Sequence, residues 1–173
     1  IFGVSNFMNE VIWVRNSGSI GRTAFSKRHD ILLVYHKTEN YFYDGKAVGD
    51  LREQNEGSFG GYFGTDENGR RYREVRKAGK VYKYYLDEPR NPNDVWIVPQ
   101  IPERDKTERL GYNTQKPRKL LERLIKASVP KNGVVLDPFC GCGTTLSACE
   151  YLNQKESYKL KWIGIDITHL AIN

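Results

Sequence analysis

Two aspartates and two glycines near the C-terminal end are the residues whose types and spacing best suit chemistry. Asp137 ends the apolar run Val134-Val135-Leu136, and Asp166 follows the run Trp162-Ile163-Gly164-Ile165. Between them lie a tight turn, Pro138-Phe139-Cys140-Gly141-Cys142-Gly143, and a helical pattern over 144–152. Gly141 and Gly143 let backbone approach a ligand closely and permit positive φ. The helix that follows offers unpaired N–H groups at its start. Asp166 lies 23 residues after Gly143, and a carboxylate at such a strand tip accepts both ribose hydroxyls in dinucleotide folds. The set suits an adenosine-containing ligand.

Two common nucleotide motifs are excluded. The third glycine of G-x-G-x-x-G would fall at Leu146, where a bulky side chain opposes close helix–strand packing. No Gly-Lys-Ser/Thr follows the turn, so it is not a P-loop. A short glycine turn without a phosphate cradle fits a cofactor that has no phosphates. S-adenosylmethionine is one, and Asp137 sits where it would meet the cationic end of the amino acid tail. The plainer role for Asp137 is a strand-end cap. The three cysteines, Cys140, Cys142 and Cys149, form neither a disulfide framework nor a closed zinc site. They read as free thiols of a reducing cytosol, with Cys140 and Cys142 as small loop residues and no metal expected.

The elements that must position this turn follow from periodicity. Pro117 suits an early helical position, with Thr114 as N-cap. Leu120, Leu121, Leu124 and Ile125 fall on one helical face, and Arg118, Lys119, Glu122, Arg123 and Lys126 on the other. Pro130, Asn132 and Gly133 break the helix. The order helix, strand, turn, helix, strand, acid over 114–173 is a βαβ unit of a parallel sheet, hence an α/β fold. In the stretch 1–44, Glu10 to Val14 and Ile31 to Tyr35 read as an antiparallel strand pair. Their polar connector carries Arg22 and Lys27 as DNA-contact candidates, or is an ordinary surface loop.

The stretch 45–113 is glycine-rich, then basic and aromatic. Arg70, Arg71, Arg73, Arg76, Lys77, Lys80 and Lys83 interleave with Tyr72, Tyr82, Tyr84 and Tyr85. Such residues neutralise phosphates and stack on bases, or form a solvated charged hairpin. Its length predicts irregular structure tied to function. With 27 Lys and Arg against 21 Asp and Glu, the net charge of +6 favours a polyanionic partner. No apolar run approaches membrane-spanning length and no signal peptide opens the chain, so a soluble protein is expected.

These segments resemble the amino-type DNA methyltransferases that modify N6 of adenine or N4 of cytosine. Asp137-Pro138-Phe139-Cys140-Gly141-Cys142-Gly143-Thr144-Thr145 is similar to their cofactor loop. Asn113-Thr114-Gln115-Lys116-Pro117 with Leu120-Leu121-Glu122-Arg123 resembles the helix motif beside it, and its place before the loop is the permuted, beta-class order. Trp162-Ile163-Gly164-Ile165-Asp166-Ile167-Thr168 resembles the acidic second strand. The segments 6–13, 29–35 and Asp94-Val95-Trp96 match more loosely.

The resemblance implies a Rossmann-like, circularly permuted S-adenosylmethionine-dependent methyltransferase fold, incomplete in this chain. It implies a cytoplasmic enzyme of a prokaryote or phage, duplex DNA as partner, and a possible link to a restriction subunit. Asp137, Phe139, Gly141, Gly143 and Thr144 would line the methionine side of the cofactor, Asp166 the ribose, and Thr114, Gln115 and Lys116 the methionine carboxylate region. Arg22, Lys27, Arg70, Arg71, Arg73, Arg76 and Lys77 would face DNA. The target base would be rotated out of the duplex so that its amino nitrogen attacks the sulfonium methyl in line. The family's Asp/Asn/Ser-Pro-Pro-Tyr/Phe catalytic loop has no counterpart here, since the sequence holds no Pro-Pro. It is expected upstream of Ile1, and the strands that join the two ends of the sheet with it. A non-catalytic DNA-binding remnant and an RNA methyltransferase are the alternatives.

Overall fold

The computed structural model describes residues 2–16, 21–50, 62–112 and 114–167. Asn113 and Thr168 of the motifs, and Gly57, Gly60 and Gly61 of the glycine-rich stretch, lie outside the described residues. The elements run β1 (Phe7–Val14), β2 (His29–Tyr35), β3 (Tyr62–Thr65), β4 (Arg71–Lys77), β5 (Lys80–Tyr85), β6 (Val95–Ile97), α1 (Arg118–Ser128), β7 (Val134–Asp137), α2 (Thr144–Lys155) and β8 (Lys161–Gly164). The chain forms two compact units, one of residues 1–43 with 93–173 and one of 44–92. The second is shorter than the stretch that composition sets apart at 45–113, because β6 pairs with β1 and takes its surroundings into the first unit.

In the first unit β1 pairs antiparallel with β2, Glu10 opposite Leu33 and Ile12 opposite Ile31, and parallel with β6. Alternation along β1 turns Val11 and Trp13 inward, where Trp13 is 1% exposed. Its indole N–H would be costly to bury alone and donates to the Val98 carbonyl at 2.8 Å. β7 and β8 form a separate parallel pair, Leu136 opposite Ile163, joined by α2 as the βαβ pattern predicts. Asn153 fastens the end of α2 to the start of β8: its amide donates to the Leu160 carbonyl at 3.1 Å and its oxygen accepts from the Leu160 N–H at 2.7 Å.

Helix α1 serves both sheets. Leu120 packs with Val11, Trp13, Trp96 and Val98, while Ile125 packs with Ala148, Cys149, Leu152, Tyr158 and Leu160. Leu121 touches both clusters. Each such leucine or isoleucine contributes about 1.5–3 kcal/mol on burial. The polar face is tied down as well: Arg123 lies over Trp96 and Arg118 over Tyr151, at 4.6 and 4.1 Å from the ring centroids. Thr114 is not the N-cap. Pro117 occupies that position without a side-chain cap bond, and Glu108 accepts the Arg118 N–H at 2.6 Å. A carboxylate at a helix start also meets the positive end of the helix dipole.

Among the described residues of the second unit, 62–85 carry an antiparallel meander, β3-β4-β5, within the longer stretch whose length predicts irregular structure. Asp66 closes the first turn by accepting the N–H groups of Asn68 and Arg70 at 3.0 and 2.8 Å. Ala78 and Gly79 form the two-residue second turn, both with positive φ. That is the backbone twist which a two-residue hairpin requires.

Candidate functional site

The site is built where β7 and β8 end. Parallel strands point their C-terminal ends the same way, so Asp137 and the segment after Gly164 emerge together. The loop is then closed by backbone bonds: Ile165 N–H donates to Asp137 O at 2.9 Å, and Cys140 N–H to Ile165 O at 3.0 Å. Asp166 accepts the Gly141 N–H at 2.8 Å. Asp137 uses both carboxylate oxygens, accepting from Phe139 N–H at 3.1 Å and from the Thr145 hydroxyl at 2.5 Å. Asp137 thus caps the strand-end turn, the plainer of its two roles.

Two loop glycines hold positive φ, Gly141 at 50° and Gly143 at 78°. Gly143 is the N-cap of α2 and no side chain caps this end. The helix start thus faces the turn with backbone donors only. Gly141 has a second constraint, because a Cβ there would come within 3.1 Å of the Tyr112 ring.

Between this loop and the segment before α1 lies a cavity of about 290 Å³. Its walls hold Thr114, Gln115, Lys116, Asp137, Phe139, Gly141, Thr144 and Asp166, all singled out from the sequence; Gly143 is not in its wall. Tyr112, Leu121, Cys140, Cys142 and Thr145 line it too. Of these, Tyr112 is not among the residues singled out from the sequence; its ring lies against Gly141. Gln115 contributes by fixing the segment: its amide donates to Glu108 O at 2.6 Å and its oxygen accepts from Leu110 N–H at 2.8 Å. Lys116 holds its ammonium 5.7 Å from the ring centre of Trp13, and Phe139 is 86% exposed at the loop.

Burial, with Asp137 and Asp166 nearby, pushes the Cys140 thiol above its usual range. A raised pKa disfavours the thiolate that a nucleophile needs. Burial likewise pushes the Cys149 thiol up to about 11. Among the described residues no group of three or more His, Cys, Asp or Glu gathers to hold a metal ion, and no helix is long and apolar enough to cross a membrane.

The basic residues are placed in both units. Arg22 and Lys27 are exposed in the connector after β1. Arg71, Arg73, Arg76 and Lys77 lie on β4. Arg70, just before β4, is differently engaged. Its guanidinium donates to both oxygens of Asp87 at 2.9 and 2.8 Å and to Glu88 at 3.1 Å. These carboxylates hold the guanidinium firmly charged, and Arg70 in turn holds both carboxylates below their usual range. Arg70 therefore fastens the second unit together.

This geometry can be compared with known proteins. The sequence is 33% identical over 142 residues to the Type II methyltransferase M.ScaI of Streptomyces caespitosus, covering 80% of this chain and 40% of that protein. It is 31% identical over 163 residues to the Type II methyltransferase M.HpaI of Haemophilus parainfluenzae, covering 93% of this chain and 41% of that protein. The chain thus spans about two fifths of the length of these curated relatives. Among solved structures, the PvuII DNA methyltransferase (cytosine-N4-specific) superposes with a TM-score of 0.57 at 14% identity, over 94% of this chain and 48% of that one. That likeness shows the fold, the Rossmann-like α/β methyltransferase architecture expected from the motifs. The profile of the N6/N4 methyltransferases, described as DNA methylase, matches residues 1–173. With that match over its whole length, the chain is a member of the N6/N4 DNA methylase family.

Proposed function

We propose that this chain is the cofactor-binding and DNA-contacting part of an enzyme that transfers a methyl group from S-adenosylmethionine to the exocyclic amino group of adenine or cytosine in duplex DNA. One observation carries the reading: eight residues from two distant motifs, 114–116 and 137–166, line one cavity at the strand tips. The donor set fits a sulfonium nucleoside. Two carboxylates and two cysteines line the cavity, and among the described residues no arginine lines it to cradle phosphates. At about 290 Å³ it lies just below the range of about 300–1,000 Å³ for small-molecule sites.

In this reading Asp166 accepts the ribose hydroxyls while its bond to Gly141 keeps it oriented. Asp137 presents negative charge toward the cationic tail, and Lys116 lies across the cavity for the tail's carboxylate. The bound cofactor supplies the methyl group and its leaving group. The residues of this chain position it and exclude water; the step that holds the target base is assigned to none of them. The family description, DNA methylase, supports DNA as substrate, and a relative named as a Mod subunit of a Type III restriction-modification enzyme supports a restriction partner.

The test is incubation of the whole protein with duplex DNA and methyl-labelled S-adenosylmethionine, followed by nucleoside mass spectrometry. Label in N6-methyladenine or N4-methylcytosine is expected. Label only in 5-methylcytosine, or only in RNA offered in competition, contradicts the reading.

A further inference from the structure

The sheet of the second unit has two chemically different faces. Residues opposite one another in an antiparallel ladder share a face, and neighbours along a strand alternate. The ladder pairs Tyr72 with Tyr85, Glu74 with Lys83 and Arg76 with Val81. It pairs Arg73 with Tyr84, Val75 with Tyr82 and Lys77 with Lys80 on the other side, and alternation adds Arg71 to that second face.

The first face is satisfied within the unit. Tyr72 is buried, its ring 6.0 Å from Tyr85, with Lys83 over it at 4.4 Å. Arg76 lies 3.6 Å from Glu74. Arg70 stacks at 4.0 Å on Tyr85 while Asp87 and Glu88 neutralise it. The second face is different in charge. Its β4 and β5 positions carry Arg71, Arg73, Lys77 and Lys80 and no acidic residue. Tyr82 and Tyr84 stand among them, 42% and 37% exposed. Lys77 directly opposite Lys80 is a like-charge pair, which costs stability in the free sheet. Such an arrangement becomes favourable when a polyanion lies against it, because each phosphate contact releases counterions.

We propose that this second face, and not the basic segment as a whole, is the surface that meets duplex DNA, with Lys77 and Lys80 at the hairpin tip on backbone phosphates and Tyr82 beside the bases. A two-stranded ribbon has the width to enter the major groove. The proposal rests on the DNA methyltransferase reading above and deepens it: Arg70 and Arg76 leave the set of DNA contacts, and Lys80 and Tyr82 join it.

Two double variants of the whole chain test this, each removing two positive charges: Lys77→Ala with Lys80→Ala, and Arg76→Ala with Lys83→Ala. All four side chains are exposed, so both variants are expected to fold. Binding to duplexes of unrelated sequence is measured by fluorescence anisotropy across a salt series. The first variant should flatten the slope of log Kd against log salt by about 2, near 0.9 per lost phosphate contact, and weaken all duplexes alike. The second should leave the slope unchanged. The reverse pattern, or equal slopes in all three proteins, overturns the assignment of the face. A wild-type chain that binds S-adenosylmethionine but no duplex at any salt overturns the DNA reading itself.

Discussion

Leu146 on α2 fills the space above Gly164 on β8. A Cβ on Gly164 would lie 2.9 and 3.0 Å from the two Leu146 methyl carbons and 3.1 Å from the Cys140 sulfur. In dinucleotide folds a glycine on the helix allows close approach to the strand. Here the helix keeps a leucine and the strand supplies the small residue, so the expected obstacle to close packing does not arise. Gly164→Ala should therefore overpack the βαβ unit, at a cost of about 1–3 kcal/mol. Urea denaturation measures it, and Leu146→Ala in the same chain should recover part of the loss.

The second turn of the β4–β5 hairpin places Ala78 at φ 49°. A β-carbon is disfavoured there, whereas asparagine is tolerated. Ala78→Asn should stabilise the second unit by about 1 kcal/mol, seen as a shifted denaturation midpoint with an unchanged slope.

The Arg70 cluster makes the second unit acid-sensitive. Asp87 and Glu88 have lowered pKa values in the folded chain, chiefly through their hydrogen bonds to Arg70. The unfolded state binds protons first, so this stabilisation is fully present above about pH 5 and is lost as pH falls below about 4. Arg70→Ala should lower the melting temperature at pH 7 and flatten its dependence on pH in the acid range. Circular dichroism melts across pH 3–7 check this, and an unaltered acid limb would show that the cluster does not matter.

Much of the site was legible because its determinants are local. Strand tips, a glycine turn and an apolar helical face are all set by short-range periodicity, and the corresponding elements β7, α2, β8 and α1 are present. What was missed depends on partners distant in sequence. The cap of α1 comes from Glu108, ten residues before Arg118, so the nearby Thr114 looked the better candidate. β6 is three residues long, too short for a period to register. Arg70 reads as one more charge in a basic run, since Asp87 and Glu88 lie beyond the far end of β5. Tyr112 reveals its place only through its approach to Gly141.

The most direct measurement is calorimetric titration of S-adenosylmethionine into the wild-type chain and into Asp166→Ala and Gly141→Ala. Asp166→Ala removes both the expected ribose acceptor and the bond that orients the Gly141 N–H, and binding should fall below detection. Gly141→Ala forces a Cβ at φ 50° against Tyr112, and affinity should drop at least tenfold, about 1.4 kcal/mol. Wild-type affinity in both variants, or tighter binding of a nicotinamide dinucleotide than of the sulfonium nucleoside, would contradict the account.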